Sequence, residues 1–572
     1  MNTTIRVVTT KNIFAFICVH LRTYLFSFLF VFSFGTHAAN QAAIATAHPL
    51  ATAAGEQVLR SGGNAFDAAV AVAATLAVVE PYSSGLGGGG FFLLHRASDN
   101  VEVMIDARET APLAATRDMY LDELGEVNQG ASINGALAAG IPGLPAALEH
   151  VSNHYGVLPF QENLQPAITV AQQGFMVDAH YQKLAGFRLP MLRSSKDAAA
   201  IFLQNNEVPA DRAMIRQPDL AIALQRMARD GSAGFYRGEI AEKMVKSVRA
   251  HGGIWTLDDL KKYRVIERTP LYSEYRGMKI TSAALPSSGG IALIEILNQL
   301  EVYNLLALPV DQRMHLMIEA MRRAYRDRAA YLGDSDFVSV PLQQLLDKNY
   351  AAGLRAGIHD AKATPSDLLP AIGQGNEGFH TTHFSIVDKD GNRVAATLSI
   401  NYPFGSCFVA EGTGVLLNDE MDDFSIKPGV PNVYGLVGNE ANAIAPGKRM
   451  LSSMSPTFLE TDNRIAVIGT PGGSRIITMV LLGALNFYDG LGAEKIVNAP
   501  RIHHQYLPDK VFYEFGALDS ILIESLVARG YVLEAANDTW GNMQLVIINK
   551  KDGMADAAAD RRGVGKAVVI KK

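Results

Sequence analysis

Residues 381 to 401 read TTHFSIVDKDGNRVAATLSIN, two alternating apolar patterns that predict a β-hairpin with a threonine, a serine and an asparagine gathered at its open end. Asp388-Lys-Asp-Gly-Asn392 joins the two strands. With Gly391 in the left-handed position of a three-residue loop, residue 388 faces residue 392. Counting outward sets Thr381 opposite Ser399, with Asn401 diagonal to it on the same face. A threonine hydroxyl is a weak nucleophile and needs a base within hydrogen-bond reach, which the α-amine of an N-terminal threonine supplies. That amine exists only once the His380-Thr381 bond is broken, by attack of the Thr381 hydroxyl on the His380 carbonyl and hydrolysis of the resulting ester. The chemistry within reach is self-cleavage followed by acyl transfer. A threonine that merely opens a hairpin satisfies the same pattern, and the hairpin alone does not decide between the two.

The residues before the hairpin bear on that choice. Ala363 to His380 (ATPSDLLPAIGQGNEGFH) is rich in Pro, Gly and polar residues, has no usable periodicity, and predicts a long exposed loop. A loop there gives the scissile bond freedom. Further upstream, Ala51 to Val79 alternates alanine with larger apolar residues around Arg60-Ser-Gly-Gly-Asn64, which predicts two packed helices with a glycine break. Phe91 to Leu94 reads as a strand. Helical stretches follow around 142 to 152, 218 to 230, 238 to 251 and 289 to 303, so the middle of the chain is expected to be mainly helical. Beyond the hairpin, strands are predicted at Thr382 to Val387, Arg393 to Ile400, Arg464 to Gly469 and Met543 to Ile548, with a helix from about Ile476 to Asn486. Helices packed on antiparallel sheet give an α+β fold.

Composition removes several function classes. The 572 residues are 48% hydrophobic and 19% charged, with a net charge of -6, so the chain can bury a large core and carries no basic footprint for nucleic acid. Arg6, Lys11 and Arg22 precede an apolar run from Leu25 to Phe34, and Thr36-His37-Ala38-Ala39 offers a small-residue cleavage site. This predicts a signal peptide over 1-39 and a periplasmic or secreted protein; an uncleaved anchor helix is the other reading. Without Cys18 of the leader, Cys407 alone remains, so no internal disulfide can form. Between Phe404 and Phe408 it reads as a small buried hydrophobe.

Three further patterns are weaker than they look. Gly85-Leu-Gly-Gly-Gly-Gly90 satisfies G-x-G-x-x-G but follows a helix and precedes a strand, the reverse of a dinucleotide fingerprint; a tight backbone approach near the active centre suits it better. His380, His383, His503 and His504 lack metal-ligand spacing. The acids at 419, 420, 422 and 423 lack the alternation of a calcium loop.

Ordered blocks along the chain carry a resemblance. They include SGGNAFDAAVA (61 to 71), VEPYSSGLGGGGF (79 to 91), Asp106-Ala-Arg-Glu-Thr-Ala-Pro112, ALPSSGG (284 to 290) and TTHFSIVDKDG (381 to 391). The later ones are LLNDEMDDFSIKPGVPNVYGL (416 to 436), KRMLSSMSP (448 to 456), GTPGGSR (469 to 475) and NAPRIHHQ (498 to 505). Over nearly its whole mature length the sequence resembles the γ-glutamyltranspeptidases, N-terminal-nucleophile hydrolases. The resemblance implies a four-layer αββα sandwich formed jointly by a large subunit, 40 to 380, and a small subunit, 381 to 572, cut from one precursor as a heterodimer. It implies glutathione and other γ-glutamyl compounds as substrates and amino acids or dipeptides as acceptors, with no cofactor and no metal.

By position, Thr381 is the implied nucleophile, and Ser399 replaces the family's second threonine, keeping the hydroxyl but losing the β-methyl that fixes its rotamer. Arg108 is implied to hold the substrate α-carboxylate with help from Ser452 and Ser453. Asn401, Glu420 and Asp423 are implied around the ammonium, with Glu420 standing where many bacterial relatives have Gln. Gly472 and Gly473 match the oxyanion hole, and Tyr434 a lid over the site. Two other readings stay open: a glutaryl-type (cephalosporin) acylase of the same superfamily, and an uncut, non-catalytic periplasmic binding protein.

Overall fold

Strand alternation sorts the core into two layers of sheet. The computed structural model describes residues 40-128, 130-369 and 381-571; the predicted leader, His380, the loop from 370 on and Lys572 lie outside them. The strands are β1 (Ala42–Thr46), β2 (Gly89–Arg96), β3 (Val101–Ala107), β4 (Ile266–Arg268), β5 (Leu271–Tyr275), β6 (Met278–Ser282), β7 (Thr382–Val387) and β8 (Arg393–Ser399). They continue with β9 (Thr457–Glu460), β10 (Arg464–Gly469), β11 (Gln544–Asn549), β12 (Ala555–Ala559) and β13 (Lys566–Ile570). A seven-stranded sheet runs β13-β1-β7-β8-β2-β3-β4, and a six-stranded sheet β12-β11-β10-β9-β6-β5. All their pairings are antiparallel.

The helices that matter are α1 (Pro49–Arg60), α2 (Ala65–Val79), α3 (Leu144–Tyr155), α4 (Phe160–Gln173), α5 (Pro218–Asp230), α6 (Gly238–Ala250), α7 (Gly289–Leu300), α8 (Val310–Tyr331) and α9 (Ile476–Tyr488). On the first sheet Ile44, Phe92, Phe384, Ile386, Val394 and Ala396 join the core under α1 to α6. Their neighbours Ala43, Ala45, Phe91, Leu93, Val387 and Ala395 belong to the core shared with the second sheet and α7 to α9. That period of two is what a sheet buried on both faces requires. With α2 against β7 and β8, β10 and β11 stacked on β7, and α9 behind β10, the order is helix, sheet, sheet, helix, the expected αββα arrangement.

Every residue of α2 is buried, which explains its small side chains: alanines let it lie close to the sheet. Asn64 caps it, its side chain accepting from the Asp67 N–H while the Asp67 carboxylate accepts from the Asn64 N–H.

Two details add to what was expected. The middle of the chain is mainly helical, but β5 and β6 form a hairpin there, turning at Arg276 (φ 50°) and Gly277 (φ 85°). The loop expected from Ala363 is tied down where it is described: the Ala363 N–H donates to the Arg529 carbonyl at 2.7 Å, and the buried Ser366 hydroxyl donates to the Tyr506 carbonyl at 2.7 Å. Among the described residues no helix is long and apolar enough to cross a membrane.

Candidate active site

The hairpin has the register read from its loop. β7 and β8 pair Val387 with Arg393 and Thr382 with Leu398, which sets Thr381 across from Ser399. Gly391 is left-handed (φ 89°), and the Asp388 N–H donates to the Asn392 carbonyl at 3.0 Å. Sequence reasoning missed what pins the turn. The Asp388 carboxylate accepts from the N–H groups of Asp390 and Asn392 and, through Oδ2, from the Ala65 N–H at the start of α2 at 2.9 Å. The glycine run explains itself here: a Cβ on Gly88 would lie 2.1 Å from the Ser399 carbonyl oxygen, so only glycine allows the approach.

Alternation points Thr381, His383 and Ser399 toward the second sheet, and Thr382 toward the helices. The Thr382 hydroxyl donates to Glu80, just past α2, at 2.6 Å, and burial pushes the Glu80 carboxyl up to about 7. Thr381 itself is 6% exposed. It lines a cavity of about 20 Å³ with Arg108, Ser399, Asn401, Glu420, Asp423, Tyr434, Ser452, Ser453 and Gly473, room for about one water. Gly472 sits one residue outside it.

Arg108 follows β3 and is wholly buried. Its Nη1 donates to Glu420 at 2.5 Å, its Nη2 to Asp423, and its Nε to the Met450 carbonyl at 3.3 Å. Groups expected at opposite ends of a ligand are therefore paired with one another, because charges this deep cannot stay uncompensated. Glu109, next in sequence, has two buried carboxyl oxygens with no hydrogen bond among the described residues. Burial, then the nearby Glu420, pushes its carboxyl well above the usual range. Burial also pushes Glu420 up to about 7, against the pull of Arg108 and a hydrogen bond from Ser399. Among the described side-chain hydrogen bonds Glu420 accepts from Arg108 and Glu109 accepts none, so Glu109 is the harder of the two to ionise.

The acidic turn, Glu420–Asp423, is a 3₁₀ helix anchored by Asn418. That side chain donates to the Gly87 and Gly140 carbonyls at 2.6 and 2.8 Å and accepts from the Glu420 N–H at 3.0 Å. Asn401 is left-handed (φ 72°), a conformation asparagine tolerates. Its N–H donates to the Ser399 hydroxyl oxygen at 2.7 Å and its Nδ2 to the Asp419 carbonyl at 3.0 Å. Tyr434 lines the same cavity, its hydroxyl donating to the Asn401 carbonyl at 2.7 Å. The loop carrying it is tied to the acids: Asn432 Nδ2 donates to Asp423 at 3.0 Å and the Val433 N–H to Asp422 at 2.8 Å.

Ser452 and Ser453 are held by groups the sequence did not disclose. Arg328 on α8 donates through Nε to Ser288 at 2.9 Å and through Nη2 to Ser453 at 3.3 Å. The Ser288 hydroxyl donates to the Ser452 carbonyl at 2.6 Å. Opposite them, Gly472 (φ 142°) and Gly473 (φ 55°) open a 3₁₀ turn that runs straight into α9. N–H groups at such a terminus have no intrahelical acceptor and carry its positive dipole end.

The discounted residues have ordinary roles. His383 bonds Thr397 at 2.8 Å and Ser385 at 3.2 Å, His503 bonds Thr478 and Gln505, each at 2.8 Å, and His504 bonds Asp509 at 3.1 Å. Burial pushes the Cys407 thiol up to about 11.

Comparison with known proteins covers nearly the whole chain. A model of the family described as Gamma-glutamyltranspeptidase matches residues 51–570. A protein of Pseudomonas sp. (strain A14) named glutathione hydrolase proenzyme is 47% identical over 501 residues, 85% of this chain and 86% of that one. One of the same name from Escherichia coli (strain K12) is 43% identical over 532 residues, covering 92% and 91%. Among solved structures, a cephalosporin acylase from Bacillus halodurans superposes with a TM-score of 0.81 at 27% identity, covering 93% of this chain and 96% of that one.

Proposed function

The chain belongs to the gamma-glutamyltranspeptidase family and acts as a glutathione hydrolase and γ-glutamyltransferase, and from that premise we propose that Thr381, freed by self-cleavage, is its nucleophile. The observation that carries this is one small cavity holding Thr381 beside a guanidinium and two carboxylates. A γ-glutamyl group ends in an α-carboxylate and an α-ammonium. It can exchange with the internal ion pairs, its carboxylate taking Arg108 through two parallel hydrogen bonds and its ammonium taking Glu420 and Asp423.

The Thr381 hydroxyl then attacks the γ-carbonyl while its own α-amine accepts the proton, and the Gly472 and Gly473 N–H groups stabilise the oxyanion. The amine passes the proton to the leaving nitrogen, which departs as cysteinylglycine from glutathione, and a γ-glutamyl ester remains. Water attacks the ester to give glutamate, or an amino-acid or dipeptide amine attacks it to give a new γ-glutamyl amide. Each regenerates the Thr381 hydroxyl.

Two subunits, 40–380 and 381–572, would stay together after the cut. β1 of the first is hydrogen-bonded between β7 and β13 of the second, so separation means dismantling a central sheet. The leader pattern alone supports export to the periplasm or beyond.

Glu420 and Asp423 favour a substrate with an α-amine over a glutaryl group, which lacks one. Ionised Glu420 attracts the ammonium and neutral Glu420 does not, so KM for γ-glutamyl-p-nitroanilide is expected to fall as pH rises through about 7. Glu420→Gln should flatten that dependence and narrow the preference over glutaryl-p-nitroanilide. An equal rate on both anilides with wild type would instead favour the acylase reading.

Ser399 offers a second test. Threonine there restores a β-methyl and restricts χ1, so Ser399→Thr is expected to speed maturation a few-fold on a time-resolved gel. An unchanged rate would remove rotamer freedom as the reason serine matters.

A further inference from the structure

β8 carries one charged residue on the face that presents Ser399. Arg393 opens the strand and Ser399 ends it, about 20 Å apart at the usual strand rise. Arg393 is 7% exposed, and its Nε has no hydrogen-bond partner among the described residues. Its guanidinium lies over the Phe458 ring, 5.5 Å from the centroid. A buried guanidinium stays charged, and its donors need acceptors.

Arg393 lines a cavity of about 370 Å³ between the two sheets, where Glu102, Tyr272, Lys279, Thr281 and Glu460 also line the wall. The two acids are already engaged. Glu102 accepts from the Thr281 hydroxyl at 2.9 Å and lies 3.3 Å from His95, while Glu460 pairs with Lys550 at 2.8 Å. They balance Arg393 only at a distance. Lys279 stands exposed at the rim.

We propose that this cleft is a binding site for a small oxyanion, a carboxylate or inorganic phosphate, held by Arg393 from within and by Lys279 from the rim. The planar fork of Arg393 suits two oxygens of one anion, and the Tyr272 hydroxyl offers a further donor. The volume admits an ion or a molecule of amino-acid size. Its distance from Thr381 makes it separate from the γ-glutamyl site.

The test uses the full processed protein, with ionic strength held constant by sodium chloride. Sodium phosphate or sodium acetate is titrated while the melting temperature is followed, and crystals are soaked in the same anions. A saturable rise is expected, with density between Arg393 and Lys279; which anion saturates at lower concentration identifies phosphate or carboxylate as the preferred class. Lys279→Gln should weaken the response several-fold, leaving hydrolysis of γ-glutamyl-p-nitroanilide unchanged, and Arg393→Gln should abolish it. Because the buried Arg393 variant can fail to fold, the exposed Lys279 variant decides the matter. An equal response in wild type and Lys279→Gln, or anion density only elsewhere, overturns the proposal.

Discussion

Thr381→Ala is expected to leave a single uncut chain that releases no nitroaniline from γ-glutamyl-p-nitroanilide, a loss of at least about 10³-fold. Wild type should run as two bands on a denaturing gel, the smaller beginning at Thr381. The two defects should appear together because one hydroxyl performs both attacks, first on the His380 carbonyl and then on the substrate. Folding should survive. Thr381 lies just before β7, and the strand is held by its ladder to β8 and by the Thr382 hydroxyl on Glu80, none of which uses the Thr381 side chain. An intact but active wild type would contradict the N-terminal nucleophile, and an intact, inactive one would move weight to a binding protein. A Thr381→Ser variant separates the roles: it keeps a hydroxyl, so it should cut and turn over slowly.

The hairpin could be read from sequence because its information is local. Period-two alternation and one left-handed glycine fix the register, and that register places Ser399 across from Thr381. The α1–α2 pair was legible for a similar reason, since Ser61-Gly-Gly63 interrupts two alanine-rich runs.

What could not be read is tertiary. β5 and β6 alternate, but Tyr272 lies exposed at an edge, and the charged residues among them hid the pattern inside a helix-rich region. α8 escaped because Arg322, Arg323 and Arg328 are buried; Arg323 is neutralised by Glu319 at 2.6 Å, so arginine marks its interior as well as its surface. Nothing in composition singles out Arg328 as the one that reaches Ser453. The resemblance brought Arg108, Glu420 and Asp423 to one site, yet their pairing with each other follows from burial alone.

That pairing makes Arg108 the second position of large effect. Arg108→Gln is expected to raise KM for γ-glutamyl-p-nitroanilide by about 10²-fold or more, since a charged, two-point contact with the α-carboxylate is lost. Self-cleavage should continue, because the His380-Thr381 bond presents no γ-glutamyl carboxylate to Arg108. The substitution also leaves buried Glu420 and partly buried Asp423 without their cation, a change that costs on the order of 3 kcal/mol or more when both stay ionised. Glu420 relieves part of it by taking up a proton. Glu420, already raised to about 7 beside Arg108, rises further without it. A carboxyl raised in the folded state supports stability below its ordinary range and loses that support as pH climbs through the raised value. The gap in melting temperature between wild type and Arg108→Gln should therefore widen from pH 5 to pH 8. Arg108→Lys restores a charge but not the planar fork, so it should recover much of the stability and little of the KM. A cut Arg108→Gln enzyme with an unchanged KM would show that the substrate carboxylate is held elsewhere.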